Sequence, residues 1–517
     1  MINTVELTGD DLTLEQVYAV VLGHAQPVLS EQARSKMLRS RAVIERVVAQ
    51  DAPVYGVNTG FGKMASVRIS NAQIGELQVN LVRSHACGIG RLLGENETRA
   101  MMLLRANALA KGHSGIRPVA VDTLCAMLGA RVHPLVPSQG SVGASGDLAP
   151  LAHLAQTLIG EGEALYQDKR MPGQEALKLA GIVPLRLEAK EGLALLNGTQ
   201  AMLALLVLAL REMEILADTA DVAAALALDA LRGTPTAFDD RIARVRNFPG
   251  HRQSARHLRL LNQGSSIRES HRSALNDARV QDPYSLRCTP QVHGAVRDAI
   301  AQVRATLLVE VNAATDNPLV FAETSEVLSG GNFHGQPLAM AADQLAVAIA
   351  ALAGISERRI EQMVNPQLSG LPAFLVAEPG LHSGFMILHV AAAALVSETK
   401  AMSFPHSVDS LPTSANQEDY VSMGMGAARR LSSMAENLRN VLAIELLAAC
   451  QGMEFLAPLR TGAQAQKAQA LVRSVSKPVE KDRSLSADIA AVSELIARGE
   501  FQQVLRRALE AAGEERR

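Results

Sequence analysis

The chain has 517 residues, 48% hydrophobic and 20% charged, enough for a large core or for about three domains at roughly 150 residues each. Lys and Arg number 50 against 52 Asp and Glu, a net charge of -2 with no basic block, which argues against a nucleic-acid or anionic-membrane partner. The four cysteines (Cys87, Cys125, Cys288, Cys450) lie far apart and form no CxxC pair, so a disulfide framework or zinc ribbon is unsupported and a reducing cytoplasm fits.

The N-terminal stretch MINTVELTGDDLTLEQV is acidic and has no apolar signal core. Segment 164–174 (ALYQDKRMPGQ) reads as a surface hairpin turning at its Pro-Gly pair. From residue 200 onward the pattern is helical: 200–231, 291–313, 337–364, 386–402, 424–457 and 485–511. Apolar residues occupy nearly every face of 337–364 until SERRIEQ, which predicts burial all round. The apolar runs 201–210 and 345–355 are shorter than the roughly 20 residues a bilayer span needs, and both read as core helices. With no Trp and only 3% aromatics, the core is expected to be closely packed Ala, Leu, Val, Ile and Met. The predicted fold is therefore mostly α: a long-helix bundle with an N-terminal helical and loop region and few short strands. The expected division is 1–199, 200–480 and a helical segment 481–517. Buried-looking long helices also suggest a bundle extended by other subunits.

Polar, glycine-rich islands interrupt the helices at 54–62 (VYGVNTGFG), 84–90 (SHACGIG), 138–150 (SQGSVGASGDLAP), 197–200 (NGTQ), 281–288 (QDPYSLRC), 312–318, 330–336 (GGNFHGQ) and 415–424 (ANQEDYVSMG). Loops loaded with Tyr, Asn, Gln, His, Arg and Glu on a rigid scaffold are where chemistry usually resides. Three of the five tyrosines, Tyr55, Tyr284 and Tyr420, fall in them. The segment GSVGASGDLAP is neither a phosphate loop, for want of GK[ST], nor a nucleotide fingerprint, nor a GxSxG elbow. Taken alone it is a loop whose Ser145 or Asp147 caps the following helix. No HExxH or other compact spacing among the 13 histidines suggests a metal site.

Ala144-Ser145-Gly146, followed by Asp147, resembles the signature of the aromatic amino acid ammonia-lyases and 2,3-aminomutases. The resemblance covers about Tyr55 to Glu454, with its motifs in order. It implies that this tripeptide cyclises with loss of two waters to a methylidene-imidazolone (MIO) electrophile, with no exchangeable cofactor and no metal. The types make sense: an unhindered, sharply bent backbone lets the Gly146 nitrogen reach the Ala144 carbonyl, and Ser145 supplies the methylidene. The resemblance further implies that Asn197 hydrogen-bonds the electrophile's carbonyl oxygen. Tyr55 would be a lid-loop base, which an ordinary pKa near 10 makes dependent on its surroundings. Arg287 would hold the substrate carboxylate, Tyr284 and Gln281 would support electrophile and substrate, and Phe333 would form an aromatic wall. Each also has a plainer reading as a packing, turn or ion-pair residue.

Two positions bear on the substrate. Ser84-His85 is similar to the histidine-specific members and to some tyrosine aminomutases, and Glu418, in NQED, is similar to the histidine-specific members, where others generally carry NQD and an apolar residue. A carboxylate pairs with an imidazole N–H, whereas burying it against a phenyl ring is costly. The alternatives are a helix-start acid for Glu418 and a core histidine for His85. Tyr420 departs from the histidine-specific members, which usually have His there. The implied activity is elimination of ammonia from L-histidine to trans-urocanate, opening histidine degradation. Phenylalanine or tyrosine elimination, or a 2,3-aminomutase, is the alternative. The family is homotetrameric with active sites shared between subunits, and a cytoplasmic enzyme with no nucleic-acid or membrane partner is expected.

Overall fold

Thr13 starts the first helix with a reciprocal cap: its hydroxyl accepts from the Gln16 N–H, and the Gln16 side chain accepts from the Thr13 N–H. That helix, Leu14–Val21, joins two parallel strands, Asn3–Leu7 and Ala25–Leu29. The computed structural model describes residues 3–50, 53–60, 62–64, 66–273 and 279–513. Among these it contains 21 α-helices and only short strands, in two- and three-stranded sheets. The fold is thus mostly helical, as the residue pattern predicts.

The chain forms two compact units. The first comprises Met1–Leu208, Arg304–Asp343 and Pro405–Arg430; the second comprises Ala209–Val303, Gln344–Phe404 and Leu431–Arg517. Within the first, helix Glu95–Ala110 is buried along nearly its whole length. It carries Arg105, fully buried, which donates to Gln200 Oε1 at 2.7 Å and to the Ala194 carbonyl. Burial pulls the Arg105 pKa down to about 10. This guanidinium underlies the NGTQ island and ties it to the core.

The four longest helices are Gln200–Ala230, Thr289–Glu310, Gln336–Val364 and Gly424–Glu454, with ends a few residues from those predicted, a difference typical of fraying ends. Helix Gln336–Val364 extends well beyond its apolar run 345–355. By length and composition alone it could cross a membrane, yet 67% of its most apolar stretch is buried within the protein.

Two local expectations need correction. The hairpin exists as Glu163–Tyr166 paired with Lys169–Pro172, but it turns at Gln167-Asp168, both in the left-handed region. Such a two-residue turn matches strand twist, and Pro172 instead leads into helix Gly173–Leu179. The predicted helix 485–511 is two helices, Ser486–Ala497 and Glu500–Ala511. Gly499 at φ 73° breaks the register between them.

Candidate active site

The loop carrying Ala144-Ser145-Gly146 runs from strand Pro137–Gln139 to helix Leu148–Leu158. Gly146 has φ 74°, and a Cβ there would lie 2.2 Å from the Gly198 carbonyl oxygen and 2.5 Å from its carbon. Only glycine permits both the left-handed backbone and this approach. The approach matters because Asp147 N–H then donates to the Gly198 oxygen at 2.7 Å, and the neighbouring Asn197 Nδ2 donates to the Ser145 carbonyl at 2.7 Å. Gly146→Ala is therefore expected to pull Ser145 away from Asn197 and to destabilise the fold by about 1–2 kcal/mol from backbone conformation alone, with the steric clash added. A lowered thermal midpoint measures this, and an unchanged midpoint would contradict it.

Neither Ser145 nor Asp147 caps helix Leu148–Leu158 through its side chain. The buried Asp147 carboxylate accepts from Ser141 Oγ at 2.9 Å and from the Met202 N–H at 2.8 Å, in the first turn of helix Gln200–Ala230. Burial pushes its pKa up to about 6 against these hydrogen bonds. Asp147 thus fastens the loop to a second helix. Two further segments clasp the loop: Met423 N–H donates to the Val142 carbonyl at 2.8 Å and Ser422 Oγ to the Gly143 carbonyl at 3.0 Å. Gly335 N–H approaches the same Gly143 oxygen at 3.4 Å, which brings the segment bearing half-buried Phe333 alongside.

Ser145 Oγ donates to Glu418 Oε1 at 2.7 Å, and Thr413 Oγ1 holds the other carboxylate oxygen at 2.7 Å. Glu418 is therefore not an exposed acid at a helix start. It closes a tight turn whose ends pair, Thr413 N–H to Glu418 O at 2.9 Å and Glu418 N–H to Thr413 O at 3.3 Å. Within that turn Ser414, Ala415 and Asn416 all have positive φ, 51–66°. Three consecutive non-glycine residues in this region store strain of the kind found at functional sites.

His85 ends helix Ile74–His85 and is half-buried. Its Nδ1 lies 2.9 Å from the Leu81 carbonyl. A carbonyl only accepts, so Nδ1 carries a proton, and in the neutral form of the ring Nε2 is the acceptor. Burial pulls the His85 pKa below its usual value, opposed by the Leu81 carbonyl and by the charge of Glu418. Tyr55 sits in a loop fastened by Gly56, where a Cβ would meet Leu193 Cδ2 at 2.6 Å, just before Asn197. The Tyr55 hydroxyl accepts from the Gly62 N–H at 3.4 Å, and turn Gly62–Met64 lies against turn Ser414–Asn416. The Tyr420 ring stacks on His334, with centroids 6.1 Å apart and planes 15° apart, and His334 Nε2 reaches the Tyr420 carbonyl at 3.2 Å.

The first unit thus gathers Tyr55, His85, Ala144-Ser145-Gly146, Asn197, Phe333 and Glu418. Gln281, Tyr284 and Arg287 belong to the second unit. There the Arg287 guanidinium lies 4.6 Å from the centre of the Tyr284 ring and its Nε donates to the Asp282 carbonyl at 3.1 Å. Gln281 and Tyr284 are exposed, Tyr284 by 69%. Sequence reasoning missed Ser141, Thr413 and Ser422, since lone hydroxyl residues in loops carry no spacing signal.

A family model for aromatic amino acid lyases matches residues 12–474. A histidine ammonia-lyase of Koribacter versatilis (strain Ellin345) is 56% identical over 513 residues, covering 97% of this chain and 99% of that one. The crystal structure of histidine ammonia-lyase from Trypanosoma cruzi superposes with a TM-score of 0.90 at 44% identity, covering 98% of this chain and 95% of that chain. Tyrosine aminomutase from Streptomyces globisporus gives 0.92 at 37% identity, covering 98% and 99%. The chain belongs to the aromatic amino acid lyase family.

Proposed function

We propose that this chain eliminates ammonia from L-histidine to give trans-urocanate, using an MIO electrophile formed from Ala144-Ser145-Gly146. The residues fit that group: Gly146 has the bent, unhindered backbone that ring closure requires, and the Asn197 amide already donates to Ser145 O, the oxygen the ring would retain. When formed, the MIO supplies an electrophilic carbon and so does the work of a cofactor. Asn197 stabilises negative charge gathering on the Ser145 oxygen. Tyr55 receives the proton removed from the substrate β-carbon.

The observation that carries the substrate assignment is Glu418, whose carboxylate points at Ser145 from a rigid, strained turn. There it accepts from an imidazole N–H, and His85 Nε2 offers a second acceptor beside it. Arg287, with its planar fork, takes the substrate carboxylate, Gln281 and Tyr284 support substrate and electrophile, and Phe333 is an aromatic wall. Like the family it resembles, the enzyme works as a homotetramer whose subunits share active sites. Val347, Ile387, Val390 and Phe404 of the second unit are exposed, apolar side chains that burial between copies would cover. Four unpaired cysteines fit a cytoplasmic enzyme.

Glu418→Gln, assayed per matured site, is expected to lower kcat/KM for L-histidine roughly a hundredfold, with a much smaller effect on any residual phenylalanine turnover. Wild-type histidine rates in the matured variant would remove the substrate assignment. A 2,3-aminomutase or a phenylalanine- or tyrosine-directed lyase is the second reading; Tyr420, two residues from Glu418, leaves it open and Glu418 argues against it.

A further inference from the structure

Forming the electrophile requires two losses of water. In the first, the Gly146 nitrogen bonds to the Ala144 carbonyl carbon, the carbonyl π bond opens, and the Gly146 N–H proton passes to the carbonyl oxygen. The resulting hydroxyl leaves with the Ser145 amide proton, creating a carbon–nitrogen double bond. In the second, the Ser145 Cα–H and Cβ–O bonds break, and a Cα–Cβ double bond forms as the hydroxyl departs as water. The intact tripeptide places one acid–base group on an atom that reacts in the second step: Glu418 Oε1 lies 2.7 Å from Ser145 Oγ.

We propose that Glu418 catalyses this second water loss. The carboxylate takes the Ser145 Cα proton and returns it to Oγ as the Cβ–O bond breaks. Water leaves and the carboxylate is regenerated, so no oxidant, reductant or other reactant is consumed. The Cα that gives the proton and the Oγ that receives it are two bonds apart on one residue, and Oε1 lies 2.7 Å from that Oγ. Thr413 Oγ1 on the other oxygen, and the paired ends of turn 413–418, fix that carboxylate against Ser145. Departure of Oγ also frees Oε1, so the step that completes the electrophile exposes the oxygen assigned to the imidazole N–H. The proposal rests on the reading that the MIO forms at these residues.

Intact mass, followed at intervals after synthesis of the full chain, separates the two ideas. The wild-type protein is expected to be lighter than its sequence by two waters. In Glu418→Gln, a species lighter by only one water is expected to accumulate, with the second loss slowed roughly a hundredfold. A Glu418→Gln protein that loses both waters at the wild-type rate overturns the proposal and leaves the electrophile reading standing. A soluble variant that loses neither water puts the block at ring closure and also overturns it. A wild-type protein that loses no water removes both ideas together. Thr413→Val keeps the carboxylate but unties one oxygen. Should Glu418→Gln be insoluble, a slowed second loss is expected in Thr413→Val, and a wild-type rate there overturns the proposal.

Discussion

Ser145→Ala is expected to reduce ammonia release from L-histidine on the order of 10^4-fold or more, while the helical fold persists. Alanine has no hydroxyl to lose, so no methylidene carbon forms. The fold persists because the loop is held mainly by its neighbours and its backbone. Asn197 donates to the Ser145 carbonyl, Asp147 N–H to the Gly198 carbonyl, and Met423 N–H to the Val142 carbonyl. The hydroxyl's bond to Glu418 is lost when the electrophile forms, so its absence in the variant does not separate it from the matured wild type. Circular dichroism and a thermal scan beside the activity assay check both halves. Near-normal turnover in this variant would exclude the electrophile.

Glu445→Ala is expected to have the largest effect on stability, about 3–5 kcal/mol. Glu445 and Arg359 are both fully buried in the second unit. The Glu445 carboxylate accepts from Arg359 Nη2 at 3.0 Å and also from Arg359 Nε and Ser356 Oγ. Removing it leaves a buried guanidinium and a buried hydroxyl without their acceptor. Arg359 Nη1 also reaches the Ser285 carbonyl at 3.5 Å and His293 Nε2 at 3.3 Å, so the pair underpins the turn that carries Tyr284 and Arg287. Beyond His293 stands buried Asp221, which accepts from His293 Nδ1 at 2.7 Å, from His257 Nδ1 at 2.8 Å and from Arg297. The double substitution Arg359→Met with Glu445→Met removes both charges together and is expected to recover much of the loss. Thermal and urea unfolding of the three proteins measure this. A Glu445→Ala protein as stable as wild type would show that the pair is not coupled to the fold.

Much of this was legible in the residues. Runs such as AMLALLVLAL and LAVAIAALAGI announce long buried helices because apolar side chains on every face leave no solvent side. Ala144-Ser145-Gly146 stood out through its resemblance to the lyase signature, since its residue types alone read equally well as a capping loop. Glu418 stood out because the resemblance puts a glutamate there in the histidine-specific members. What sequence could not supply was the partner of each group. Asp147 looks like the cap of the helix it precedes, yet its carboxylate serves helix Gln200–Ala230, a tertiary choice that local spacing does not encode. Thr413 and Ser422 were silent for the same reason. The Pro-Gly pair drew the hairpin turn to the wrong place because Gln167 and Asp168 adopt positive φ without a glycine between them. The helix at 485–511 concealed its break because Gly499 sits inside an otherwise continuous helical pattern.

The central claim is elimination of ammonia from L-histidine at the Ser145 site. Its most direct test is to mix the purified protein separately with L-histidine, L-phenylalanine and L-tyrosine, following near-UV absorbance together with released ammonia. The absence of Trp leaves a low protein background. The expected result is urocanate and ammonia in equal amounts from histidine alone. Cinnamate or coumarate with no urocanate would contradict the assignment of Glu418 to an imidazole, and no ammonia from histidine would contradict the claim outright.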